Sequence, residues 1–397
     1  MRKWVGIVLT APVLLGLAVL AAWASAPDPS FNPASFEQRP LAQRLLPIEE
    51  AATLAQFIGP DGTHSTMIVL AADESSVTGV DLTRLGAQTG EDPFAALAQA
   101  NITPLRQGEQ GDWPQLTVPI ADLLPSAPAG GRHIGTGTNF PEHAEEASST
   151  AVFQFPKFGI ATPARTQVRA ESGILLDYEV ELCMRFDREI ANLADFDAAT
   201  KGIFLCGDFT NRNALVHLAD PDDLDSGSGF SDAKSGPDFF PTGPFLVVPR
   251  DWQAVARDLR MTTSLNGEPR QDARGGEMTL DFRALAEKAL ADMARPRFLF
   301  RGDMHLLAPH GRIERDMTLM SGTAEGTIFT PPSRADIIEA GLVYARNLGP
   351  FGERDFMDTA RNRFIANELA GAHFLQPGDI VRHGSNYLGD IEVLVTQ

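Results

Sequence analysis

The sequence is short of cysteine and of positive charge. Its 397 residues include two cysteines, Cys183 and Cys206, and 33 Lys and Arg against 52 Asp and Glu, a net charge of −19. Such a surface repels phosphate backbones, which excludes nucleic acid as a partner. It leaves carboxylates free to meet a cation. No Gly-x-Ser-x-Gly elbow is present, which disfavours a serine hydrolase. Internal repeats are absent as well. The acidic stretch 220–238 fails as a calcium loop, because Leu224 and Ser231 fall where carboxylates are required.

What is present is 43% apolar residues, enough for a sizeable core, with 35 Gly and 28 Pro that favour a β-rich body full of turns. Arg2 and Lys3 precede an uncharged run from Trp4 to Ala26. Basic residues ahead of an apolar run keep the N-terminus in the cytoplasm and send the rest of the chain across the membrane. Residues 1–26 are therefore a signal peptide, cut near Ala24 or Ala26, or a retained anchor, since about 20 apolar residues span a bilayer. No cysteine comes after the run, so a lipoprotein anchor is not supported. Either route places the body outside the cytoplasm, in the periplasm or beyond. The N-terminal segment contacts membrane at least during export.

Residues 27–63 read as a Pro-rich linker and then a helix, with Leu45, Ile48, Ala52, Leu54 and Phe57 as its apolar stripe. Residues 64–128 read as a small N-terminal β domain. They hold strands around 67–71 and 76–82 and a short helix from Asp92-Pro93 to Ala100. Residues 129–397 carry the chemistry. Within them, 220–238 reads as a mobile loop. The region 331–373 is helical, with Ser333 capping one helix through Tyr344 and a second helix starting at Glu353.

Tyr178-Glu179-Val180-Glu181-Leu182 lies in a strand-like run, so Glu179 and Glu181 share a face. Two desolvated carboxylates side by side call for a hard cation between them. Gly207-Asp208-Phe209-Thr210-Asn211-Arg212 offers a third carboxylate and a guanidinium. In Asn139-Phe140-Pro141-Glu142-His143-Ala144-Glu145-Glu146, a helical turn places Glu146 beside His143, where it would orient the imidazole as a base. Lys234-Ser235 and Ser321-Gly322-Thr323 add a cation and a hydroxyl.

In this order and spacing the motifs resemble those of the fumarylacetoacetate hydrolase family. Asn-Phe-x-x-His-x-x-Glu at 139–146, Tyr-Glu-Val-Glu-Leu at 178–182, Gly-Asp-Phe-Thr-Asn-Arg at 207–212 and Lys-Ser…Pro-Thr-Gly-Pro at 234–244 match its pattern. So do Asn266-Gly267-Glu268-Pro269-Arg270-Gln271, Gly322-Thr323-Ala324 and Leu375-Gln376-Pro377-Gly378-Asp379. An apparent insertion around 331–373 interrupts the match. The resemblance implies an α+β, mostly β protein: a mixed β-roll or sandwich catalytic domain, a small N-terminal β domain and a C-terminal helical insertion, assembled as a homodimer.

The resemblance also implies Mg²⁺, or Mn²⁺ or Ca²⁺, held by Glu179, Glu181 and Asp208. His143 with Glu146 would activate water, and Arg212, Lys234 and Thr323 would contact the substrate. The activity it implies is metal-dependent hydrolysis of a C–C bond in an acylpyruvate-like or β-diketo acid. A keto-acid decarboxylase or isomerase on the same site is the alternative, and a non-catalytic dicarboxylate-binding protein is a third. Departures fall in the substrate region. Gly236-Pro237 replaces Phe-Asp, Leu215 stands where many relatives carry Gln, Gly207 replaces Asn, Asn211 replaces Ala, and Ala324-Glu325 replaces Pro-Ala.

Cys183 lies two residues after Glu181 and Cys206 two before Asp208. Were the two strands antiparallel with the carboxylates facing, the thiols would lie directly opposed one step along the same side. At about 4.5–5.5 Å between Cα atoms they could join as a cross-strand disulfide. Two free buried thiols are the other reading.

Overall fold

Strands dominate from residue 51 onward. The computed structural model describes residues 16–25 and 32–397, apart from 89, 108–112, 148, 150, 221, 348 and 353–354. Two compact units separate. One comprises Met1–Asn32 and Ile328–Phe374, the other Pro33–Thr327 and Leu375–Gln397.

The larger unit holds a ten-stranded sheet. Its order is Gln115–Pro119, Ser76–Asp81, His64–Ala72, Ala51–Ile58, Leu246–Pro249, Lys201–Gly207, Val180–Phe186, Leu319–Met320, Arg132–Gly137 and Phe153–Phe158. All neighbours are antiparallel except Leu319–Met320 beside Arg132–Gly137. The strands of 64–119 thus continue the sheet that carries the acidic motifs. A second sheet runs Glu268–Arg274, Arg260–Leu265, Ile380–Ser385, Asp390–Thr396 and Arg165–Arg169. With short helices between strands, the protein is α+β and mostly β, as expected.

The helix expected across Leu45 to Phe57 does not form. Ala51–Ile58 is a strand, buried from Ala51 to Phe57 and paired on both edges. A strand buried on both faces shows no alternation, so its apolar run imitates a helical stripe. The segment 220–238 is more regular than a loop. It contains helical turns at Leu224–Ser226 and Phe230–Lys234. Phe230 packs on Phe153 and Phe155 with ring centroids 4.6 and 5.4 Å away. Ser231 Oγ donates to Pro156 O at 2.7 Å. These contacts pin the second turn to the strand Phe153–Phe158.

Strand Val180–Phe186 is buried along its whole length and pairs with Lys201–Gly207 in a register that sets Cys183 against Phe204 and Cys206 against Glu181. The cysteines are therefore diagonal neighbours rather than directly opposed. Their Cα atoms are 6.0 Å apart and the thiols form a disulfide. Its sulfurs lie in an apolar cluster with Leu54, Phe204, Phe240, Leu246 and Met320.

In the smaller unit, residues 16–24 are helical. No described helix is long and apolar enough to cross a membrane. The start of the apolar run and the stretch from Ala26 to residue 31 lie outside the described residues. Ser333 caps helix Arg334–Arg346, with Asp336 closing a capping box. Helix Phe356–Gly371 comes next and is capped by Asp355.

Candidate metal centre

Glu179 and Asp208 lie just past the ends of the paired strands, and the pairing continues through Asp208 N–H, which donates to Glu179 O at 2.9 Å. Glu181 is the diagonal neighbour of Asp208 on the same face, one step above the disulfide. All three carboxyl groups are buried, and one oxygen from each lies within 4.8 Å of the others. The regular strand begins only at Val180, yet the alternation still brings Glu179 and Glu181 to one side.

Three buried cations face this cluster. Lys157 Nζ donates to Asp208 Oδ1 at 2.7 Å and to the carbonyls of Lys234 and Phe239. Lys234 Nζ donates to Glu179 Oε2 at 2.7 Å and Thr210 Oγ1 at 3.0 Å, and lies 2.9 Å from Asp208 Oδ2. Arg212 bridges Asp177 Oδ2, at 2.8 Å, and Glu179 Oε1, at 2.9 Å.

With Asp177 included, four buried carboxylates meet three cations, and the surplus charge settles on Glu181. Burial disfavours charge on Glu179, but Lys234 and Arg212 outweigh it, and with His143 they hold that carboxyl down to about 2. Burial, then Asp208 and Glu179, push Glu181 well above the usual carboxylate range; Lys234 and the Gly322 N–H offset this only in part. Glu181 Oε1 accepts no hydrogen bond, and Asp208 Oδ2 accepts none that is well directed. An unpartnered Glu181 oxygen beside the Glu179 and Asp208 carboxylates, in a buried cluster with one carboxylate more than its cations, fits a hard divalent cation.

The loop 321–326 supplies two backbone donors. Gly322 N–H donates to Glu181 Oε2 at 2.8 Å, and Gly326 N–H to Glu146 Oε1 at 2.9 Å. Both glycines sit at positive φ, +79° and +93°, a conformation that side chains resist. Asn139 ties this loop to the base. Its Nδ2 donates to Ser321 O at 2.9 Å and to Leu280 O at 3.0 Å. His143 and Glu146 lie on helix Pro141–Glu146, where His143 Nδ1 is 2.8 Å from Glu146 Oε2. The imidazole keeps partial access to solvent and lies close enough for its charge to be felt at Glu179.

The three acids and the His143–Glu146 pair thus converge. Lys234 and Arg212 join them by pairing with the carboxylates. Thr323 sits apart from that pairing: its Oγ1 donates to Val180 O at 2.9 Å and accepts from Gln271 Nε2 at 3.0 Å. Asp177 and Gln271 lie inside the runs that carry the motifs without being assigned a role there, and Lys157 is a member of the site that no sequence motif marks. A lysine inside the apolar run Phe153-Gln154-Phe155-Pro156-Lys157 is the available signal, because an ammonium on a buried strand demands a buried partner.

The family model described as fumarylacetoacetate hydrolase, C-terminal, matches residues 132–396. Among solved structures, a 2-hydroxyhepta-2,4-diene-1,7-dioate isomerase from Mycobacterium marinum is 16% identical with a TM-score of 0.51, covering 87% of this chain and 98% of that one. A 5-carboxymethyl-2-hydroxymuconate delta-isomerase from Mycobacterium smegmatis is 16% identical with a TM-score of 0.51, covering 87% of this chain and 99% of that one. At such identity the likeness is one of fold. No curated protein sequence matches the chain.

Proposed function

The chain belongs to the fumarylacetoacetate hydrolase family, and from that premise we propose that it hydrolyses a C–C bond in an acylpyruvate-like or β-diketo acid with a divalent cation at Glu179, Glu181 and Asp208. The observation that carries this reading is the His143–Glu146 pair beside the carboxylate cluster. Binding a dicarboxylate needs no base, whereas hydrolysis does.

In this reading His143 Nδ1–H donates to Glu146, whose other oxygen is held by Gly326 N–H. That leaves Nε2 free to take a proton from water. The water oxygen bonds to the substrate carbonyl carbon. The C–C bond then breaks, its electron pair passes to the departing enolate, and His143 returns the proton to that carbon. Mg²⁺, Mn²⁺ or Ca²⁺ bound by the three acids would supply charge to polarise the carbonyl and to stabilise the developing enolate. The family resemblance assigns Arg212, Lys234 and Thr323 to the substrate's oxygens. Arg212 and Lys234 would share their charge with the carboxylates they already pair.

Decarboxylation and keto–enol isomerisation develop the same enolate, and the similar folds named above are isomerases, so products decide between them. The test is purified protein with Mg²⁺ or Mn²⁺ against acylpyruvates, oxaloacetate and a 2-hydroxydienoate, with products identified by mass. Cleavage to two acids supports the proposal. Carbon dioxide release or isomerisation alone removes it. In His143→Ala, turnover should fall about 10²–10⁴-fold while cation and ligand binding persist; undiminished turnover sinks the role of the base.

The same proposal places the body outside the cytoplasm. Arg2, Lys3 and the run after them support export, and the Cys183–Cys206 disulfide suits an oxidising compartment.

A further inference from the structure

On one edge the strand Val180–Phe186 loses its neighbour just where the carboxylates begin. Leu319 faces Met184 and Met320 faces Cys183. Ser321 then donates its N–H to Leu182 O at 2.9 Å, and its Oγ accepts from Leu182 N–H at 3.0 Å. Beyond it the chain turns at Gly322, with φ +79°. The ladder alternates, so both main-chain groups of Val180, the residue between Glu179 and Glu181, open to this same edge. Side chains complete them. Val180 N–H donates to Gln271 Oε1 at 3.1 Å, and Val180 O accepts from Thr323 Oγ1 at 2.9 Å.

Gln271 belongs to the second sheet and is 1% exposed. Pairing of Glu268–Arg274 with Arg260–Leu265 sets Thr263 against Gln271 and Ser264 against Pro269, so Arg270 is an extra residue. Such a bulge re-aims the side chain beside it. Main-chain groups fix which way round the amide lies. Val180 N–H needs an acceptor, so it meets Oε1; Ala324 O, 2.9 Å away, needs a donor, so it meets Nε2. Nε2 also donates to Thr323 Oγ1 at 3.0 Å, and Oε1 also accepts from Thr263 Oγ1 at 2.9 Å. With its proton spent on Gln271, Thr263 accepts from His383 Nδ1 at 2.9 Å. A Cβ at Gly326 would drive into Arg270 O, so the bulge also seats the far end of the loop.

We infer that Gln271, with Thr323 as its intermediary, is a positioning residue for the metal centre. One amide holds Val180 and thereby the spacing of Glu179 and Glu181. The same amide holds Ala324, midway between Gly322, whose N–H meets Glu181, and Gly326, whose N–H meets Glu146. The carboxylates and the partner of the base are thus set by a residue whose own hydrogen bonds go to main chain and hydroxyls. Thr323 takes a different task from the one the family resemblance assigns. Its single proton goes to Val180 O, leaving none for a substrate oxygen that can only accept. The inference rests on the reading of Glu179, Glu181 and Asp208 as the cation's ligands.

The test measures Mn²⁺ binding to the purified full chain by titration calorimetry, with no substrate present. Gln271→Leu and Thr323→Val should weaken the Kd about 10–100-fold, the usual cost of losing a group that orients a metal ligand. Thr323→Ser keeps the hydroxyl and should bind as the wild type does. In chelator, hydrogen exchange in the peptide spanning residues 178–182 should quicken in Thr323→Val and not in Thr323→Ser. The two Thr323 variants carry the test should Gln271→Leu fail to fold. Three outcomes overturn the inference: wild-type Kd and exchange in both Gln271→Leu and Thr323→Val, whatever their melting temperatures; a loss in Thr323→Ser equal to that in Thr323→Val; or unchanged Mn²⁺ binding in Thr323→Val with a raised KM, which would make the hydroxyl a substrate contact. A wild type that binds no Mn²⁺ is a different result: it removes the reading of the metal centre itself, and this inference with it.

Discussion

Replacing Glu181 by Gln should abolish the effect of divalent cations on stability without weakening the cation-free protein. In the wild type, a cation present at a hundred times its Kd adds about 2.7 kcal/mol to unfolding. The unit that holds the site spans roughly 320 residues. At about 2.1 cal/mol/K of unfolding entropy per residue, each degree corresponds to about 0.7 kcal/mol, so Tm should rise about 4 °C. Glu181 is the carboxylate left over once Lys157, Lys234 and Arg212 have paired. Gln keeps its shape and an oxygen for Gly322 N–H but removes the buried charge. The variant in chelator should therefore melt at or above the wild type in chelator, and Mg²⁺ or Mn²⁺ should no longer move it. Asp208→Asn should behave oppositely. It leaves Lys157 and Lys234 short of a partner and should cost about 3–5 kcal/mol even without cation. Calorimetric melts of the three proteins, with chelator and with cation, decide. Equal cation shifts in wild type and Glu181→Gln, or no shift in either, would refute the charge count.

Three further outcomes are expected. The disulfide closes a loop with a sequence separation of 23, so Cys183→Ala/Cys206→Ala should lose about 3 kcal/mol in denaturant unfolding; thiol titration of the unfolded, unreduced wild type should find no free thiol. Lys157→Met should leave Asp208 with Lys234 as its one remaining ammonium and cost about 3 kcal/mol, and a denaturation midpoint equal to the wild type's would show that the pair is not needed. Burial lowers His133 to about 3. Above about pH 6.5 both folded and unfolded forms are neutral there. Below it the unfolded chain alone takes up the proton, so stability falls by about 1.4 kcal/mol per pH unit until about pH 3. His133→Gln should show a correspondingly shallower loss between pH 6.5 and 5 in denaturant midpoints, and an unchanged slope would contradict the buried neutral imidazole.

The parts of the site legible in the sequence are those fixed by local periodicity. Glu179 and Glu181 share a side because strand residues two apart do, and Glu146 reaches His143 because residues three apart on a helical turn do. What periodicity cannot supply is register. The step that sets Glu179 against Asp208, and makes Cys183 and Cys206 diagonal rather than opposed, depends on how Val180–Phe186 slides against Lys201–Gly207. The strand at Ala51–Ile58 passes for a helix for a related reason. One of its pairing partners, Leu246–Pro249, comes from far along the chain, and neither that pairing nor the layers that bury both of its faces can be read from its own residues. Lys157 shows the limit most clearly. It finds Asp208 51 residues away, while Lys234 finds Glu179 55 residues away. A buried ion pair leaves its two halves in separate motifs. Each half, read alone, is an ordinary charged residue, and the surplus on Glu181 that calls for a cation exists only once all seven groups are counted in one place.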